Sequence, residues 1–146
     1  MALKITELKF WRSKIEDRPG GAAAILGPLG QAKVDLEFVL ARRTPEEPGK
    51  GVIYVASIKG AKAEQAAAAA GLAPSDDVAG VRVEGDNKPG IGASITAAIA
   101  GAGVSFRGLC ASVLGKKYVC YLALDAGDDA RKVSEALKGL GKKGKK

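Results

Sequence analysis

The segment Ile15-Glu16-Asp17-Arg18-Pro19-Gly20-Gly21 returns 70 residues later as Gly85-Asp86-Asn87-Lys88-Pro89-Gly90-Ile91. The match continues beyond the two Pro-Gly pairs at apolar positions with the same offset: Ile25 with Ile95, Leu29 with Ile99, and Val34 with Val104. Self-similarity at a fixed spacing is typical of a structural unit that has been duplicated. We therefore expect the 146-residue chain to contain one small unit twice.

Hydrophobic periodicity predicts the same order of elements in both copies. In the first copy it predicts strands over 3–15, 34–40 and 52–58, helices after Pro19-Gly20 and over 62–70, and a short extended piece near 72–74. In the second copy it predicts strands over 78–84, 104–113 and 118–124 and helices over 91–100 and 128–140, with a fourth strand that is missing or very short. Pro28 predicts a kinked or shortened first helix, because proline removes a backbone hydrogen bond.

The order β-α-β-β-α-β is that of the split βαβ, or ferredoxin-like, arrangement. The predicted fold class is therefore α+β: two ferredoxin-like units in tandem, each an antiparallel sheet with its helices on one face. We place the first unit at residues 1–76, the second at 77–140, and a disordered basic tail at 141–146. Open sheet edges in so small a pair predict self-association, most simply as a homodimer.

Composition narrows the classes of function. The chain is 47% hydrophobic and 27% charged, which is typical of a globular protein. Histidine is absent and there are two cysteines, Cys110 and Cys120, which argues against a metal site or a histidine-based catalytic centre. We expect no cofactor and no catalytic residues, and the lack of a signal peptide or membrane-spanning stretch predicts a cytoplasmic protein without membrane contact. The net charge of +7 includes four lysines in the last six residues.

The residues around each Pro-Gly pair suit a ligand with a carboxylate and an ammonium group. Proline fits the first position of a helix, and glycine, which has no Cβ, lets a ligand approach the backbone. The free N–H groups of the first helical turn and the helix dipole favour an anion. Asp17 or Asn87 could then accept a hydrogen bond from an ammonium group. The same residues also suit a plain strand-to-helix turn, and the motif alone does not distinguish the two.

The duplicated Asp/Asn-x-Pro-Gly motif, set between a strand and a helix, resembles the ACT domain, a small amino-acid-binding regulatory module. The resemblance covers nearly the whole chain and is greater to small stand-alone proteins with two tandem ACT units. It implies a non-catalytic, allosteric module that binds an amino acid where ACT-like units meet, between the Pro-Gly loop of one unit and the second strand of another.

The ligand-binding residues that follow from the motif and the resemblance are Asp17, Arg18, Pro19, Gly20, Gly21, Ala22 and Asp35 in the first copy, and Asn87, Lys88, Pro89, Gly90, Ile91, Gly92 and Ser105 in the second. Asp35 and Ser105 are equivalent at the offset of 70 and are placed on the second strand. Ala22 and Gly92 are small where amino-acid-binding relatives commonly carry a larger aliphatic residue. Their size either makes room for a ligand side chain or marks a site that has lost its function.

Two other functions share this order of elements. A nucleic-acid-binding ferredoxin-like module would need aromatic residues on its central strands, and the sequence offers only Phe38, Tyr118 and Tyr121 there. A structural or interaction protein whose ligand sites are lost would keep the turns alone. The sequence leaves open which amino acid binds, whether one or both sites work, and which protein target reads the signal.

Overall fold

The computed structural model of the chain describes residues 2–143. Within this range it contains eight strands and four helices: β1 (Lys4–Leu8), β2 (Trp11–Glu16), α1 (Gly21–Gln31), β3 (Phe38–Arg43), β4 (Lys50–Ala56), α2 (Ala61–Ala69), β5 (Ala73–Pro74), β6 (Val78–Asp86), α3 (Ile91–Gly101), β7 (Gly108–Leu114), β8 (Lys117–Asp125) and α4 (Asp129–Lys143).

The elements form two compact units. The first unit is Lys9–Ser75, and the second unit is Asp76–Lys146 together with Met1–Leu8. The first unit has a sheet of order β3-β4-β2-β5, the second has a sheet of order β1-β6-β8-β7, and every neighbouring pair is antiparallel. The predicted fold class, α+β with two ferredoxin-like units in tandem, is confirmed.

The N-terminal segment does not form the single strand that alternation predicts over 3–15. It forms β1, which pairs with β6 from Lys4↔Glu84 to Leu8↔Gly80, and β2, which pairs with β4. The fourth strand of the second unit, expected to be missing or very short, is therefore the first strand of the chain. Alternation reports which face of a sheet a residue occupies and not which sheet it joins. Residues up to Leu8 thus group with the second unit, although the sequence pattern placed them with residues 9–76.

Each unit has its own hydrophobic core between the helices and one face of the sheet. In the second unit the core combines alternate residues of β6 and β8 with residues one turn apart on α3 and α4 and with Val104 after α3: Val81, Val83, Ile91, Ile95, Ile99, Val104, Tyr118, Cys120, Leu122, Leu124, Ala130, Val133 and Leu137. In the first unit the buried residues of the cluster are Leu29, Ile53, Val55, Ala67 and Leu72. Burial of these apolar side chains is the main favourable contribution to the stability of each unit.

Helices α1 and α3 end in the same turn, which corrects the predicted start of the following strands. The N–H of Val34 donates to the carbonyl of Leu29 and that of Val104 to Ile99, while Lys33 and Gly103 occupy the left-handed position before them with φ of 59° and 75°. This is a Schellman motif, whose hydrophobic residue packs back on the helix. Val34 and Val104 therefore belong to helix ends, and the strands expected from 34 and 104 begin at Phe38 and Gly108.

The structure corrects two further predictions about the helices. Helix α1 has 11 residues, as α3 does, so the shortening expected at Pro28 is wrong. Pro28 lacks the N–H that would donate to the carbonyl of Ala24, yet the helix continues past it to Gln31. Helix α4 extends to Lys143, into the segment 141–146 predicted as a tail, and residues 144–146 lie outside the described residues. None of the described helices is long and apolar enough to cross a membrane.

Candidate functional site

The two Pro-Gly pairs form the same turn at the start of α1 and α3. The N–H of Gly21 donates to the carbonyl of Arg18 at 3.0 Å, and the N–H of Ile91 donates to that of Lys88 at 3.2 Å. Gly20 has φ 87° and ψ −2°, and Gly90 has φ 86° and ψ −1°. These angles and hydrogen bonds define a type II β-turn, with proline at its second position and glycine at its third.

This turn corrects the predicted positions of the prolines. Pro19 and Pro89 lie one residue before the N-cap glycine and not at the first position of the helix. The positive φ at Gly20 and Gly90 is what favours glycine there. Crowding is not the reason, because a Cβ built on either residue would have no atom within 4 Å. The motif therefore does form a strand-to-helix turn, and the open space at both glycines leaves the backbone accessible from that side.

Both helices begin without a polar cap. Among the described residues no side chain caps the N-terminus of α1 or α3, and neither first turn contains an acidic residue. The N–H of the first helical residue donates within the turn, so the N–H groups of the next two residues, Ala22 and Ala23 in α1 and Gly92 and Ala93 in α3, are those without an intrahelical partner or a capping side chain. A helix end of this kind, with the positive end of its dipole uncompensated, favours an anion.

Asp17 and Asn87 occupy equivalent places and have different partners. The Asp17 carboxylate accepts a hydrogen bond from Nε of Arg43, which lies 3.1 Å from Oδ1 and 3.0 Å from Oδ2. The residue equivalent to Arg43 in the second copy is Val113. Within the described part of the chain the Asn87 side chain has no hydrogen-bond partner, and its backbone N–H donates to the carbonyl of Lys116 at 2.8 Å. The polar side chain at the second loop is therefore available to a ligand, whereas the one at the first loop is ion-paired.

At the base of each loop, an ion pair links the end of the strand that precedes the helix to the neighbouring strand. Lys117 Nζ lies 2.6 Å from Asp86 Oδ1, and Lys50 Nζ lies 2.6 Å from Glu16 Oε1. The hydrogen bond from Lys117, followed by its charge, lowers the pKa of the Asp86 carboxyl, and Lys50 lowers the pKa of Glu16 in the same way. Exposed pairs of this kind add little stability, so their main effect is on the position of the strand end.

The remaining loop residues differ in exposure. Arg18 and Lys88 are exposed, and Arg18 Nη1 lies 3.4 Å from the carbonyl oxygen of Pro19. Gly21 is buried, and a Cβ on it would collide with the carbonyl oxygen of Glu16, so the first helix can start there only with glycine. Ile91, its equivalent, is buried in the core of the second unit.

Tyr118 lies beside the second loop, and the sequence analysis did not predict it as part of the site. Its side chain is 9% exposed, and a Cβ on Gly92 would lie 3.2 Å from its hydroxyl oxygen. Burial raises the pKa of Tyr118 above its ordinary value. The space that the small Gly92 leaves beside the start of α3 is thus occupied by the chain's own tyrosine. The pairing Val113↔Tyr118 matches Arg43↔Gly51 in the first unit, so Tyr118 replaces a glycine, and only the register of the strands shows this.

Asp35 and Ser105 lie at the other end of their units from the loops. Each follows a helix end and is not on a strand, which corrects the predicted placement. The N–H of Glu37 donates to Ala56 at the last residue of β4, whereas the N–H of Asp17 donates to Gly49 just before β4 begins. A strand of 7 residues spans about 23 Å at roughly 3.3 Å per residue. Within one unit, therefore, the loop and the Asp35 or Ser105 position cannot hold the same small ligand.

A surface depression surrounds each of these two residues. The depression at Asp35 has a volume of 480 Å³, and its lining includes three lysines and two carboxylates: Lys33, Lys59, Lys62, Asp35 and Glu37. The depression at Ser105 has a volume of 380 Å³ and a largely apolar lining that includes Ile99, Val104 and Phe106. The described residues contain no group of three or more His, Cys, Asp or Glu side chains that could hold a metal ion. Cys110 is exposed and Cys120 is buried, and both are free thiols.

Comparison with known proteins finds similar structures. No protein-family model matches the sequence, and no curated protein matches it. A protein from Bacteroides thetaiotaomicron shares 16% identity at a TM-score of 0.74, with 92% of this chain and 89% of that chain covered. The ligand-free regulatory subunit of aspartate kinase from Thermus thermophilus shares 16% identity at a TM-score of 0.62, over 93% of this chain and 97% of that one.

A third similar structure is aspartokinase III of E. coli in complex with lysine and aspartate, in its T-state. It shares 13% identity at a TM-score of 0.55 and covers 96% of this chain and 33% of that longer chain. At such identities the likeness concerns the fold. It confirms the tandem ACT-type fold that the duplicated motif predicts.

Proposed function

We propose that the chain is a non-catalytic regulatory module that binds an amino acid at its Pro-Gly loops. The observation that carries the proposal is the duplicated type II turn that leads into a helix without a capping side chain. At each copy it offers free backbone N–H groups to a carboxylate and an open approach at glycine. The fold is shared with a regulatory subunit of aspartate kinase and with aspartokinase III, which was solved in complex with lysine and aspartate, and this supports an amino acid as the ligand.

The second loop is the stronger of the two proposed sites. A carboxylate at the start of α3 would meet no acidic side chain in the first helical turn, and the Asn87 amide oxygen is free to accept a hydrogen bond from the ammonium group. At the first loop the same contact would compete with Arg43 for the Asp17 carboxylate. The ligand at the second loop would thus contact Asn87, Lys88, Pro89, Gly90, Ile91 and Gly92.

Asp35 and Ser105 have a different place in the proposal. Since each lies about one strand length from the loop of its own unit, it could contribute only to a ligand held by the loop of a different unit. A homodimer would supply such a unit from a second copy of the chain. Binding would regulate a protein target only if the ligand has different affinities for two conformations of the module.

A thermal-shift screen of the standard amino acids tests the proposal. A ligand present at 100 times its Kd would stabilise the folded protein by about 2.7 kcal/mol, which is a rise in Tm of roughly 5–10 °C for a chain of this size. Asn87→Ala should lose the shift and keep the parent Tm, because Asn87 is exposed and its side chain makes no hydrogen bond among the described residues. Asp17→Ala is the matched control and should keep the shift.

A screen in which no amino acid raises Tm would contradict the proposal. So would an Asn87→Ala variant that keeps the whole shift, because binding would then occur away from the second loop.

A further inference from the structure

The hydroxyl group of Tyr118 lies beside the first turn of α3. A Cβ built on Gly92, the second residue of that helix, would lie 3.2 Å from the hydroxyl oxygen. Standard backbone dimensions then place this oxygen within roughly 6 Å of the Gly92 nitrogen. Two hydrogen bonds of about 2.9 Å each span such a distance through one acceptor atom. The hydroxyl and the N–H of Gly92 are therefore close enough to donate to the same anionic group.

The Tyr118 hydroxyl lacks a strong hydrogen-bond acceptor within the protein. The side chain is only 9% exposed, and a buried tyrosine hydroxyl usually has a hydrogen-bond partner. Its polar neighbour is the Cys120 thiol, which is a weak hydrogen-bonding group. Among residues 2–143 no nitrogen or oxygen atom pairs with the hydroxyl. A donor is thus held beside the helix start without an acceptor of matching strength.

The start of α3 adds backbone donors to this hydroxyl. The N–H groups of Gly92 and Ala93 lack an intrahelical partner, whereas the N–H of Ser94 donates to the carbonyl of Gly90 at 2.9 Å. The first turn contains no acidic residue, and a Cβ on Gly90 would have no atom within 4 Å, so the approach from the loop is open. A carboxylate, which accepts hydrogen bonds at two oxygens, matches this group of donors.

The first unit has no counterpart of the tyrosine hydroxyl. Gly51 pairs with Arg43 as Tyr118 pairs with Val113. A Cβ on Gly51 would lie 2.6 Å from the carbonyl oxygen of Arg42, so a side chain does not fit there. The two Pro-Gly loops share one backbone turn, and the second loop alone has a hydroxyl donor at this matched position.

We infer that the Tyr118 hydroxyl is a further donor to the carboxylate of a ligand bound at the second loop. The inference rests on the proposed function and adds to that site a residue that the Pro-Gly motif does not contain. A hydrogen bond to an ionised carboxylate is roughly twice as strong as one between neutral groups. The second loop therefore selects ligands with a free carboxylate over the corresponding carboxamides, and Tyr118 contributes to this selection.

Tyr118→Phe tests the inference, because phenylalanine keeps the ring in the core and removes the hydroxyl. Calorimetric titration with the amino acid that raises Tm most should show binding on the order of tenfold weaker than in the wild type. The circular dichroism spectrum should be unchanged. Tyr121→Phe is the matched control, since Tyr121 pairs with Arg82 and Cys110 on the opposite face of β8. It should bind the amino acid as the wild type does.

The carboxamide of the same amino acid separates a contact with the ligand from a structural role. A contact with the carboxylate predicts that Tyr118→Phe weakens binding of the acid by a larger factor than binding of the carboxamide. A distorted loop would weaken both by the same factor. Equal factors, or an affinity of Tyr118→Phe for the acid equal to that of the wild type, would overturn the inference and leave the proposed function intact. Absence of binding to the wild type would overturn both.

Discussion

A Cβ on Gly92 would lie 3.2 Å from the hydroxyl oxygen of Tyr118, at the start of α3. This distance is tighter than an ordinary van der Waals contact, so the side chain at position 92 and the tyrosine hydroxyl share one small space beside the second Pro-Gly loop. The first unit has Ala22 in place of Gly92 and Gly51 in place of Tyr118. The second unit therefore places a tyrosine at this contact, where the first unit has only alanine and glycine.

The contact predicts a coupling between the two positions. Gly92→Ala should cost stability in the wild-type background and little or nothing in a Tyr118→Phe background, because phenylalanine lacks the hydroxyl oxygen that the added methyl group would crowd. The expected coupling in a double-mutant cycle measured by urea denaturation is on the order of 1 kcal/mol. Gly101→Ala, in the same helix with no atom within 4 Å of the added Cβ, is the control and should be neutral or stabilising by up to about 1 kcal/mol. Additive effects of Gly92→Ala and Tyr118→Phe would refute the coupling.

The Schellman turns at the ends of α1 and α3 predict opposite effects of exchanging their left-handed residues. Lys33 has φ 59°, a conformation that costs a residue with a Cβ roughly 1 kcal/mol relative to glycine, whereas Gly103 has φ 75°. Lys33→Gly should therefore raise the free energy of unfolding by about 0.5–1 kcal/mol, and Gly103→Lys should lower it by about 1 kcal/mol.

Lys33→Ala separates the backbone effect from the loss of charge, because alanine keeps the Cβ and removes the ammonium group. It should give no gain in stability. If Lys33→Ala stabilised the protein as much as Lys33→Gly, the gain would come from charge and not from the left-handed backbone. Denaturant titration of the three variants decides between these causes.

The buried thiol of Cys120 predicts a dependence of stability on alkaline pH. Burial raises its pKa from 9.0 to about 11, with Cys110 as a smaller contribution. Below pH 9 the thiol is protonated in both states; between pH 9 and 11 the unfolded chain loses the proton and the folded chain keeps it. The stability from this group is thus complete below pH 9 and falls as the pH rises, by at most about 1.4 kcal/mol per pH unit.

Burial also raises the pKa of Tyr118, which gives its contribution the same sign. The measured quantity is therefore the difference in stability between wild type and Cys120→Ala across pH 8–11. The wild type should lose stability more steeply than the variant. Parallel curves would show that the Cys120 thiol ionises alike in the folded and unfolded chain. Thiol labelling at pH 8 provides an independent check: Cys110 should react in the folded protein, and Cys120 only after unfolding.

The features that depend on local chemistry could be predicted from the sequence. The Pro-Gly turn is fixed by two residues, one that sets φ and one that permits a positive φ. It appears at all three places where the pair occurs, including Pro48-Gly49, where Gly49 has φ 82° and the N–H of Lys50 donates to the carbonyl of Glu47. The order of elements follows from the change between period two and helical spacing, which is also local. The tandem fold follows from the repetition of both.

The features that depend on which elements meet could not be predicted. Strand β1 alternates as β2 does, and nothing in that alternation indicates that Lys4–Leu8 joins the second sheet. Val34 and Val104 continue an apparent strand pattern although they close helix ends. The occupation of the space beside Gly92 depends on Tyr118, which lies on a strand 26 residues away in sequence. Likewise, the ion pair of Asp17 with Arg43 required the register of β3 against β4.

Calorimetric titration of the standard amino acids into three proteins tests the central claim most directly: the wild type, Asn87→Ala and Asp17→Ala. We expect at least one amino acid to bind the wild type and Asp17→Ala with similar affinity, and Asn87→Ala to lose on the order of 1–3 kcal/mol of binding free energy. Asn87→Ala should remain folded, with the Tm of the wild type in the absence of ligand. Absence of binding heat from every amino acid, or equal affinity in Asn87→Ala and the wild type, would contradict the account.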